Sequence, residues 1–240
     1  MSAPALALVT GSAHRLGKAF ALSLAHMGYT LALHYHGSET EAEQTAAEIR
    51  ALGVDCLPIH TDLMIPEKID FLFSQVDELN VPLKVVVNSA AVMPVGKATE
   101  LELHAWDSAL DLNLRAPFLI AQQAAKRMSD GGLIVNISDI GAQKAWSRYP
   151  SYTVSKAGLE SLTKMLARAL APFIRVNAIA PGLVLPSDVV TEEQWQKLVE
   201  RLPLKRAATL EEITFTLEFL IKNEYITGQT LVVDGGYSLI

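Results

Sequence analysis

Short apolar runs alternate with longer amphipathic stretches along the whole chain, and this alternation restricts the possible folds more than any other feature. The runs typical of buried strands are Leu6–Val9, Thr30–Tyr35, Val54–Ile59, Leu83–Asn88, Leu133–Ile137, Ile174–Ile179 and Thr230–Val233. Helical spacing of apolar residues occupies 16–27, 39–52, 66–79, 104–129, 151–170 and 210–222. Strands that alternate with helices are joined by right-handed crossovers into a parallel sheet. The sequence therefore predicts an α/β fold with a doubly wound parallel sheet of about seven strands and helices on both faces.

Composition narrows the class of protein further. Half of the residues are hydrophobic, as expected when strands are buried on both faces. No apolar run approaches the roughly 18 residues of a membrane span. Cys56 is the only cysteine, so an intrachain disulfide is impossible. The net charge of −6, without a long basic run, argues against nucleic acid as a partner. We expect a soluble cytoplasmic protein that acts on a small molecule.

The chain shows neither an internal repeat nor a linker, so residues 1–240 are expected to form one domain. The segment between Pro181 and Thr209 interrupts the alternation and carries a helix of its own near Glu192–Leu202. An insertion at this place predicts a lid over a substrate, at about 182–209.

A glycine turn, Thr10-Gly11 to Gly17, joins the first strand to the first helix. Gly11 permits a tight turn, and the helix amino end presents free N–H groups to a phosphate. Gly17 lets the helix pack closely on the strand. An ordinary turn is the alternative, since the full G-x-G-x-x-G pattern is missing. The position directly after the first strand favours a Rossmann-type dinucleotide site.

The end of the second strand indicates which dinucleotide is bound. NAD enzymes usually place an acid there, whereas this chain reads His34-Tyr35-His36-Gly37-Ser38 before Glu39. Arg15 in the glycine turn can reach a 2′-phosphate with its fork of donors, which predicts NADPH. His34 and His36 share a strand face and are also a possible metal pair. No third ligand has recognisable spacing, so we expect no metal.

Two further strand ends carry candidate cofactor contacts. Asp62 follows the third strand, where it can meet an adenine amino group or cap the helix after Pro66. Asn88-Ser-Ala-Ala91 follows the fourth strand, and its small residues let the backbone approach a ribose. A simple turn between strand and helix is the alternative for the second segment.

The group that donates or accepts a proton in the reaction is predicted at the start of the helix over 151–170. Tyr152 and Lys156 lie one turn apart on the same helix face. A nearby cation favours the phenolate, so Lys156 is expected to lower the tyrosine pKa from its usual ~10. Such a pair is often a solvated helix face, but this one follows the fifth strand, at the edge where open α/β sheets bind ligands.

Three more polar residues are candidates for the same site. Ser138 and Asp139 end the fifth strand, and on a regular strand they point to opposite faces. We expect the Asp139 side chain within hydrogen-bonding reach of the Tyr152 hydroxyl or of bound substrate; alternatively it ties down the following loop. Asn113 interrupts an apolar helix, either to bond a neighbouring turn or to mark a kink that relays protons through water to Lys156.

Together with Ala180-Pro-Gly182 and the stretch from Tyr225-Ile-Thr-Gly228 to Asp234-Gly-Gly236, these motifs resemble the short-chain dehydrogenase/reductase family over nearly the whole chain. The resemblance implies a catalytic tetrad, which is Asn113, Ser138, Tyr152 and Lys156. Tyr152 would be the general acid/base, and Lys156 would bind the nicotinamide ribose. Ser138 would steady the reacting oxygen, and Asn113 would hold a relay water.

Within that family the chain looks like the pteridine reductases and the related dihydromonapterin and dihydrofolate reductases. The similarity lies in Arg15, the segment 34–38, and an aspartate at Asp139 that works with the tyrosine. The chain differs at Met93, where these relatives have a stacking aromatic ring, and at Gly37, where they often have arginine. Ser138 is retained, as in ordinary carbonyl reductases.

The resemblance also implies a binding site for each ligand. The cofactor residues would be Gly11, Arg15, Leu16, His36, Ser38, Asp62, Leu63, Asn88, Ala90, Lys156, Pro181, Gly182 and Leu183. The substrate residues would be Met93, Trp146, Tyr149 and Val184. The leading hypothesis is an NADPH-dependent reductase of a pterin-like substrate, in a homotetramer. The alternatives are a reductase of a 3-oxoacyl thioester or small ketone, and a non-catalytic NADPH-binding protein.

Overall fold

The computed structural model describes residues 4–144, 146–186 and 190–240. In these residues the strands form a seven-stranded sheet whose neighbouring strands are all parallel, in the order β3-β2-β1-β4-β5-β6-β7. The strands are β1 (Leu6–Thr10), β2 (Thr30–Tyr35), β3 (Cys56–His60), β4 (Leu83–Asn88), β5 (Gly132–Ile137), β6 (Ile174–Pro181) and β7 (Thr230–Val233). Each predicted strand is present, with ends shifted by at most a few residues.

The helices follow the predicted alternation. They are α1 (Arg15–His26), α2 (Glu39–Ala51), α3 (Pro66–Glu78), α4 (Leu103–Leu110), α5 (Ala116–Ala125), α6 (Pro150–Leu170), α7 (Glu192–Arg201) and α8 (Leu210–Lys222). The continuous helix predicted over 104–129 is interrupted, because Asp111–Arg115 between α4 and α5 forms a π-helical turn. Turns of this kind insert one residue into a helix and are frequent at functional sites.

Two apolar layers cover the sheet, one on each face. On one face α3, α5 and α6 bury side chains such as Phe73, Ile120 and Leu166 against the strands. On the other face α1 and α8 contribute Phe20 and Leu217. The strands between them are buried on both sides, which explains why they are almost wholly apolar. The predicted doubly wound α/β fold is therefore confirmed.

The order of the strands creates a crevice. Chain progression reverses between β1 and β4, and ligands of open α/β sheets bind outside the carboxyl ends of the strands at such a switch point. Of the predicted lid over 182–209, residues 187–189 lie outside the described residues. The described part contains α7, which begins with a capping box between Thr191 and Gln194. In the portion of the chain that the structure covers, we find no helix with the length and apolar character needed to cross a membrane.

Candidate active site

A cleft of about 1560 Å³ lies at the carboxyl ends of the strands. The predicted site residues that line it are Gly11, Arg15, Leu16, His36, Ser38, Asp62, Leu63, Ala90, Met93, Ser138, Asp139, Trp146, Tyr149, Tyr152, Lys156, Pro181, Gly182, Leu183 and Val184. Two predicted residues, Asn88 and Asn113, are absent from the described lining. The fold thus brings most of the candidate residues to one place, from segments that span the whole chain.

The glycine turn packs so closely that two of its positions exclude a side chain. Gly11 has a φ of +63°, and a Cβ there would lie 2.8 Å from Cα of Ala90. A Cβ on Gly17 would lie 2.0 Å from the carbonyl oxygen of Gly11. The turn therefore brings bare backbone to the cleft beside the amino end of α1, a shape that fits a phosphate group.

Arg15 has a backbone conformation that is typical of glycine. Its φ of 53° lies in the left-handed region, which glycine adopts readily and residues with a side chain rarely do. The guanidinium donates hydrogen bonds to the carbonyl oxygens of Leu185 (3.2 Å) and Pro186 (2.9 Å) at the start of the predicted lid. A role of Arg15 in binding a 2′-phosphate stays a prediction.

Both ring nitrogens of His34 form hydrogen bonds with backbone groups. Nδ1 accepts a hydrogen bond from the Gly11 N–H at 3.2 Å, and Nε2 lies 2.9 Å from the carbonyl oxygen of Thr61. A carbonyl only accepts, so the proton resides on Nε2. Burial lowers the pKa of His34 to about 4, which keeps the ring neutral. His34 therefore joins the glycine turn to β3 and has no nitrogen left for the metal pair considered with His36.

Asp62 and Asn88 are bonded in ways that the sequence left open. Asp62 lines the cleft, and its Oδ1 accepts a hydrogen bond from the Met64 N–H at 2.9 Å. The alternative cap of α3 is not observed, because Ile65 occupies the N-cap position. Asn88 donates to Oδ1 of Asn136 at 2.8 Å. The two asparagines are register partners on β4 and β5, so the side chain turns along the sheet, and a contact of Asn88 with cofactor stays a prediction.

Tyr152, Lys156 and Asp139 meet at the centre of the cleft. The Tyr152 hydroxyl donates to Oδ2 of Asp139 at 2.9 Å, which confirms the expected proximity of these side chains. Asp139 also accepts a hydrogen bond from the Gly141 N–H at 2.6 Å through Oδ1. Lys156 donates from Nζ to the carbonyl oxygen of Ile137 at 2.6 Å, and Nζ lies 5.6 Å from the centre of the Tyr152 ring.

The pKa values in this group correct one expectation. Burial, and then the carboxylate of Asp139, raise the pKa of Tyr152 well above its usual value. Burial lowers the pKa of Lys156 to about 8, against the opposing effect of Asp139. Burial also raises the pKa of Asp139, against the N–H of Gly141 and the Tyr152 hydroxyl. The predicted lowering of the tyrosine pKa by Lys156 is wrong for this structure, because desolvation and the carboxylate of Asp139 raise this pKa. The phenol stays protonated at neutral pH and can donate a proton.

Ser138, which the resemblance implied as the residue that steadies the reacting oxygen, makes no hydrogen bond to Tyr152 in this structure, and that role stays a prediction. Its hydroxyl donates instead to Oε1 of Glu160 on α6 at 3.1 Å. The backbone at Asp139 remains extended (φ −163°, ψ 149°), and both side chains reach α6. Asp139 is the one of the two that is bonded to Tyr152.

Comparison with known proteins places the chain in a family. The family model described as enoyl-(acyl carrier protein) reductase matches residues 11–238. The 3-oxoacyl-(acyl-carrier-protein) reductase FabG of Staphylococcus aureus is 34% identical, over 96% of this chain and 96% of FabG. The chain belongs to the short-chain dehydrogenase/reductase family. The 1-cyclohexenylcarbonyl-CoA reductase of Streptomyces collinus is also 34% identical, over 98% of this chain and 87% of that protein.

A solved structure of the same family superimposes closely on this short-chain dehydrogenase/reductase. It is the FolM alternative dihydrofolate reductase 1 of Brucella canis, complexed with NADP. The TM-score is 0.94 at 37% sequence identity, with 100% of this chain and 96% of the other chain covered. The resemblance to this family seen in the motifs is thereby confirmed.

Asn113, the remaining member of the tetrad that the resemblance implied for this short-chain dehydrogenase/reductase, lies in the π-helical turn and is fully buried. Its side chain bonds both the N–H and the carbonyl oxygen of Val92 at 2.9 Å, and donates to Oγ of Ser155 at 3.0 Å. The alternative in which Asn113 bonds a neighbouring turn is therefore observed. The water relay to Lys156 stays a prediction.

Sequence reasoning missed a part of the cleft wall that α7 and the carboxyl end of the chain supply. Trp195 and Arg201 of α7 and Tyr237 near the carboxyl end line the cleft. The rings of Tyr149 and Tyr237 each lie 6.2 Å from Trp146. The spacing of Trp195 and Arg201 along the predicted lid helix was a usable signal, whereas the place of Tyr237 depends on how the chain end folds back.

Proposed function

We propose that this short-chain dehydrogenase/reductase is an NADPH-dependent reductase of a pterin-like substrate, such as a dihydropterin or dihydrofolate. Tyr152 is the proton donor. The observation that carries the proposal is the hydrogen bond between the Tyr152 hydroxyl and Asp139. A carbonyl reductase needs only a hydroxyl beside its tyrosine, whereas this site has the carboxyl group of Asp139. The site therefore has a second group, besides Tyr152, that can hold a proton.

The chemistry of a pterin explains why a carboxyl group is useful there. Reduction of a ring C=N bond requires a proton on nitrogen, and the amino groups of the ring are hydrogen-bond donors. Tyr152 is held protonated by burial and by Asp139, so it can supply the proton. Asp139 can accept a hydrogen bond from a ring amino group. When it carries a proton of its own, it can pass that proton to the Tyr152 oxygen after Tyr152 has given its proton to the ring nitrogen. Reduction of a ketone produces an alcohol and has no evident use for this carboxylate.

The residues of the other half of the cleft fit a phosphorylated dinucleotide. Bare backbone at Gly11 would hold the pyrophosphate, while Arg15 and Ser38 would contact a 2′-phosphate. Lys156 would bind the nicotinamide ribose, with Nζ oriented by the carbonyl oxygen of Ile137. NADPH, when bound, supplies the hydride. The NADP complex of the Brucella canis neighbour supports this choice of cofactor.

A second candidate function is the reduction of a 3-oxoacyl thioester or another small ketone. The relationship to FabG of Staphylococcus aureus favours it. Tyr152 and Lys156 suffice for that reaction, but the Ser138 hydroxyl would have to leave Glu160 to reach a substrate oxygen. We therefore rank this function second.

Steady-state turnover separates the candidates. Dihydrobiopterin, dihydrofolate and acetoacetyl thioester are each assayed with NADPH and with NADH, and consumption of the cofactor is followed by absorbance. We expect turnover of at least one dihydropterin with NADPH at a higher kcat/KM than for the thioester. Exclusive turnover of the thioester would reject the pterin proposal, and NADPH binding without any turnover would favour the non-catalytic alternative.

We also propose that each chain forms one catalytic domain with a lid at 182–209, and that the protein is cytoplasmic.

We propose further that four chains assemble into a homotetramer. Two separate exposed apolar surfaces support this assembly, because a tetramer with twofold axes uses more than one interface. On α8, Phe215 is 62% and Phe219 47% exposed, and on the opposite face of the sheet Met165 of α6 is 47% exposed. Light scattering after gel filtration should give four times the mass of one chain, and Phe215→Glu should reduce it. A monomer for the unmodified protein would reject the assembly.

A further inference from the structure

Three consecutive residues at the end of β5 are each bonded to α6. The carbonyl oxygen of Ile137 accepts from Lys156, the Ser138 hydroxyl donates to Glu160 at 3.1 Å, and Asp139 accepts from Tyr152 at 2.9 Å. Tyr152, Lys156 and Glu160 follow one another at single-turn spacing along one stripe of the helix. Two of these bonds belong to the proposed chemistry. The third, between Ser138 and Glu160, has no role assigned so far.

The Ser138–Glu160 bond lies directly after the last residue of β5 that pairs with β6. The β5 register with β6 ends at Ile137, and the N–H of Ser138 then donates to the carbonyl oxygen of Ile179 at 2.8 Å. The next residue is Asp139, whose backbone stays extended. One peptide unit joins the two residues, so the orientation of the chain at Ser138 constrains the orientation at Asp139. A bond that holds Ser138 to Glu160 consequently helps to hold Asp139 against Tyr152, since one stripe of α6 supplies both partners.

Burial makes this bond more effective than a surface contact. Ser138 is 3% exposed, and Glu160 is partly buried on a helix that is otherwise packed on the sheet. In such surroundings, a hydrogen bond from a hydroxyl to a carboxylate is stronger than a hydrogen bond between two neutral groups. Removal of the carboxylate would leave the serine hydroxyl without this partner, and the chain at 138–139 would be freer to rotate.

We propose that Glu160 is a positioning residue, which acts through Ser138 to hold Asp139 against Tyr152. The inference rests on the proposed role of Tyr152 as acid and does not depend on which substrate is reduced. It also changes the role of Ser138, which belongs to this support and does not contact the reacting oxygen.

A set of variants tests the proposal. Glu160→Gln keeps an acceptor oxygen for Ser138, whereas Glu160→Ala and Ser138→Ala each remove the bond. We expect kcat to fall about tenfold in either alanine variant, the effect of roughly one hydrogen bond, with little change in KM for NADPH. Glu160→Gln should retain most of the activity. The double variant should be no worse than either single one, because both remove the same interaction.

The pH profile and the structure of the variants distinguish positioning from plain stability. Asp139 raises the pKa of Lys156, so an Asp139 that moves away should shift the high-pH decline of the rate to lower pH. The matched control is Thr163→Val, which removes another bond between α6 and β5, the one from Asn136 to Thr163 at 2.9 Å. It should lower the melting temperature and leave the pH profile unchanged.

Crystal structures of Glu160→Ala and Thr163→Val give a readout that needs no turnover. We expect the contact between Tyr152 and Asp139 to be lost in the first and kept in the second. Failure of dihydropterin turnover would count against the proposed function and leave this readout intact. Additive effects of Ser138→Ala and Glu160→Ala, an active Glu160→Ala beside an inactive Ser138→Ala, or an unmoved Asp139 in Glu160→Ala would overturn the role of Glu160.

Discussion

Replacement of Asp139 by asparagine is the perturbation that isolates the charge next to Tyr152. The side chain keeps its shape, and its amide oxygen can still accept the hydrogen bonds of Gly141 and Tyr152. A bond to a charged group contributes about 1.5–3 kcal/mol and a neutral one about 0.5–1.5 kcal/mol, so the loss is about 1–2 kcal/mol. At 1.36 kcal/mol for each factor of ten, kcat for a dihydropterin should fall roughly 5- to 30-fold.

The same substitution has a definite effect on the pH dependence. The pKa of Lys156 is lowered to about 8 by burial, and the Asp139 carboxylate raises it against that effect. In the unmodified protein the rate should decline as pH rises through about 8, where Lys156 loses its proton. Without the carboxylate the pKa of Lys156 falls further, so the decline should begin at lower pH. Toward acid pH Asp139 becomes protonated, and the two proteins should become more alike.

The assay is the rate of dihydropterin reduction with saturating NADPH between pH 5 and 10, for the unmodified protein and for Asp139→Asn. Asp55→Asn on an exposed turn is the control for the substitution itself. A folded Asp139→Asn variant with the rate and the alkaline limb of the unmodified protein would refute the coupling of Asp139 to Tyr152 and Lys156. Asp139→Ala should depress pterin reduction more than Ser138→Ala does, because only Asp139 contacts Tyr152.

The remaining predictions concern the acid, the cofactor and the turn. Tyr152→Phe should lower turnover roughly 100-fold or more while NADPH still binds in a fluorescence titration; retained activity would reject Tyr152 as the acid. NADPH should be preferred over NADH at least about tenfold in kcat/KM, and Arg15→Ala should erode this preference by weakening NADPH; equal use of both cofactors by the unmodified protein would disprove it. Gly17→Ala places a Cβ against the carbonyl oxygen of Gly11, so the free energy of unfolding should fall by about 1–3 kcal/mol and NADPH binding should weaken. An unchanged melting curve would show that the turn can relax.

The features that could be predicted from the sequence depend on residues that are close to one another along the chain. Strand and helix periodicities depend on neighbouring residues, so the doubly wound sheet and nearly every element could be predicted. The pairing of Tyr152 with Lys156 is local too, because one helical turn separates them. The glycine turn could be recognised from its position after the first strand, although the close approach to Ala90 that requires glycine at position 11 is a tertiary contact.

Other features depended on groups that are distant in sequence and could be seen only in the folded chain. Whether Ser138 or Asp139 faces Tyr152 depends on where β5 leaves the sheet and on the partner that Glu160 offers from α6. The upward direction of the Tyr152 pKa shift depends on desolvation by the whole fold and on the carboxylate of Asp139. A strand pattern specifies that side chains alternate, but the packed neighbours determine which side is the cleft, and burial determines how a charge there behaves.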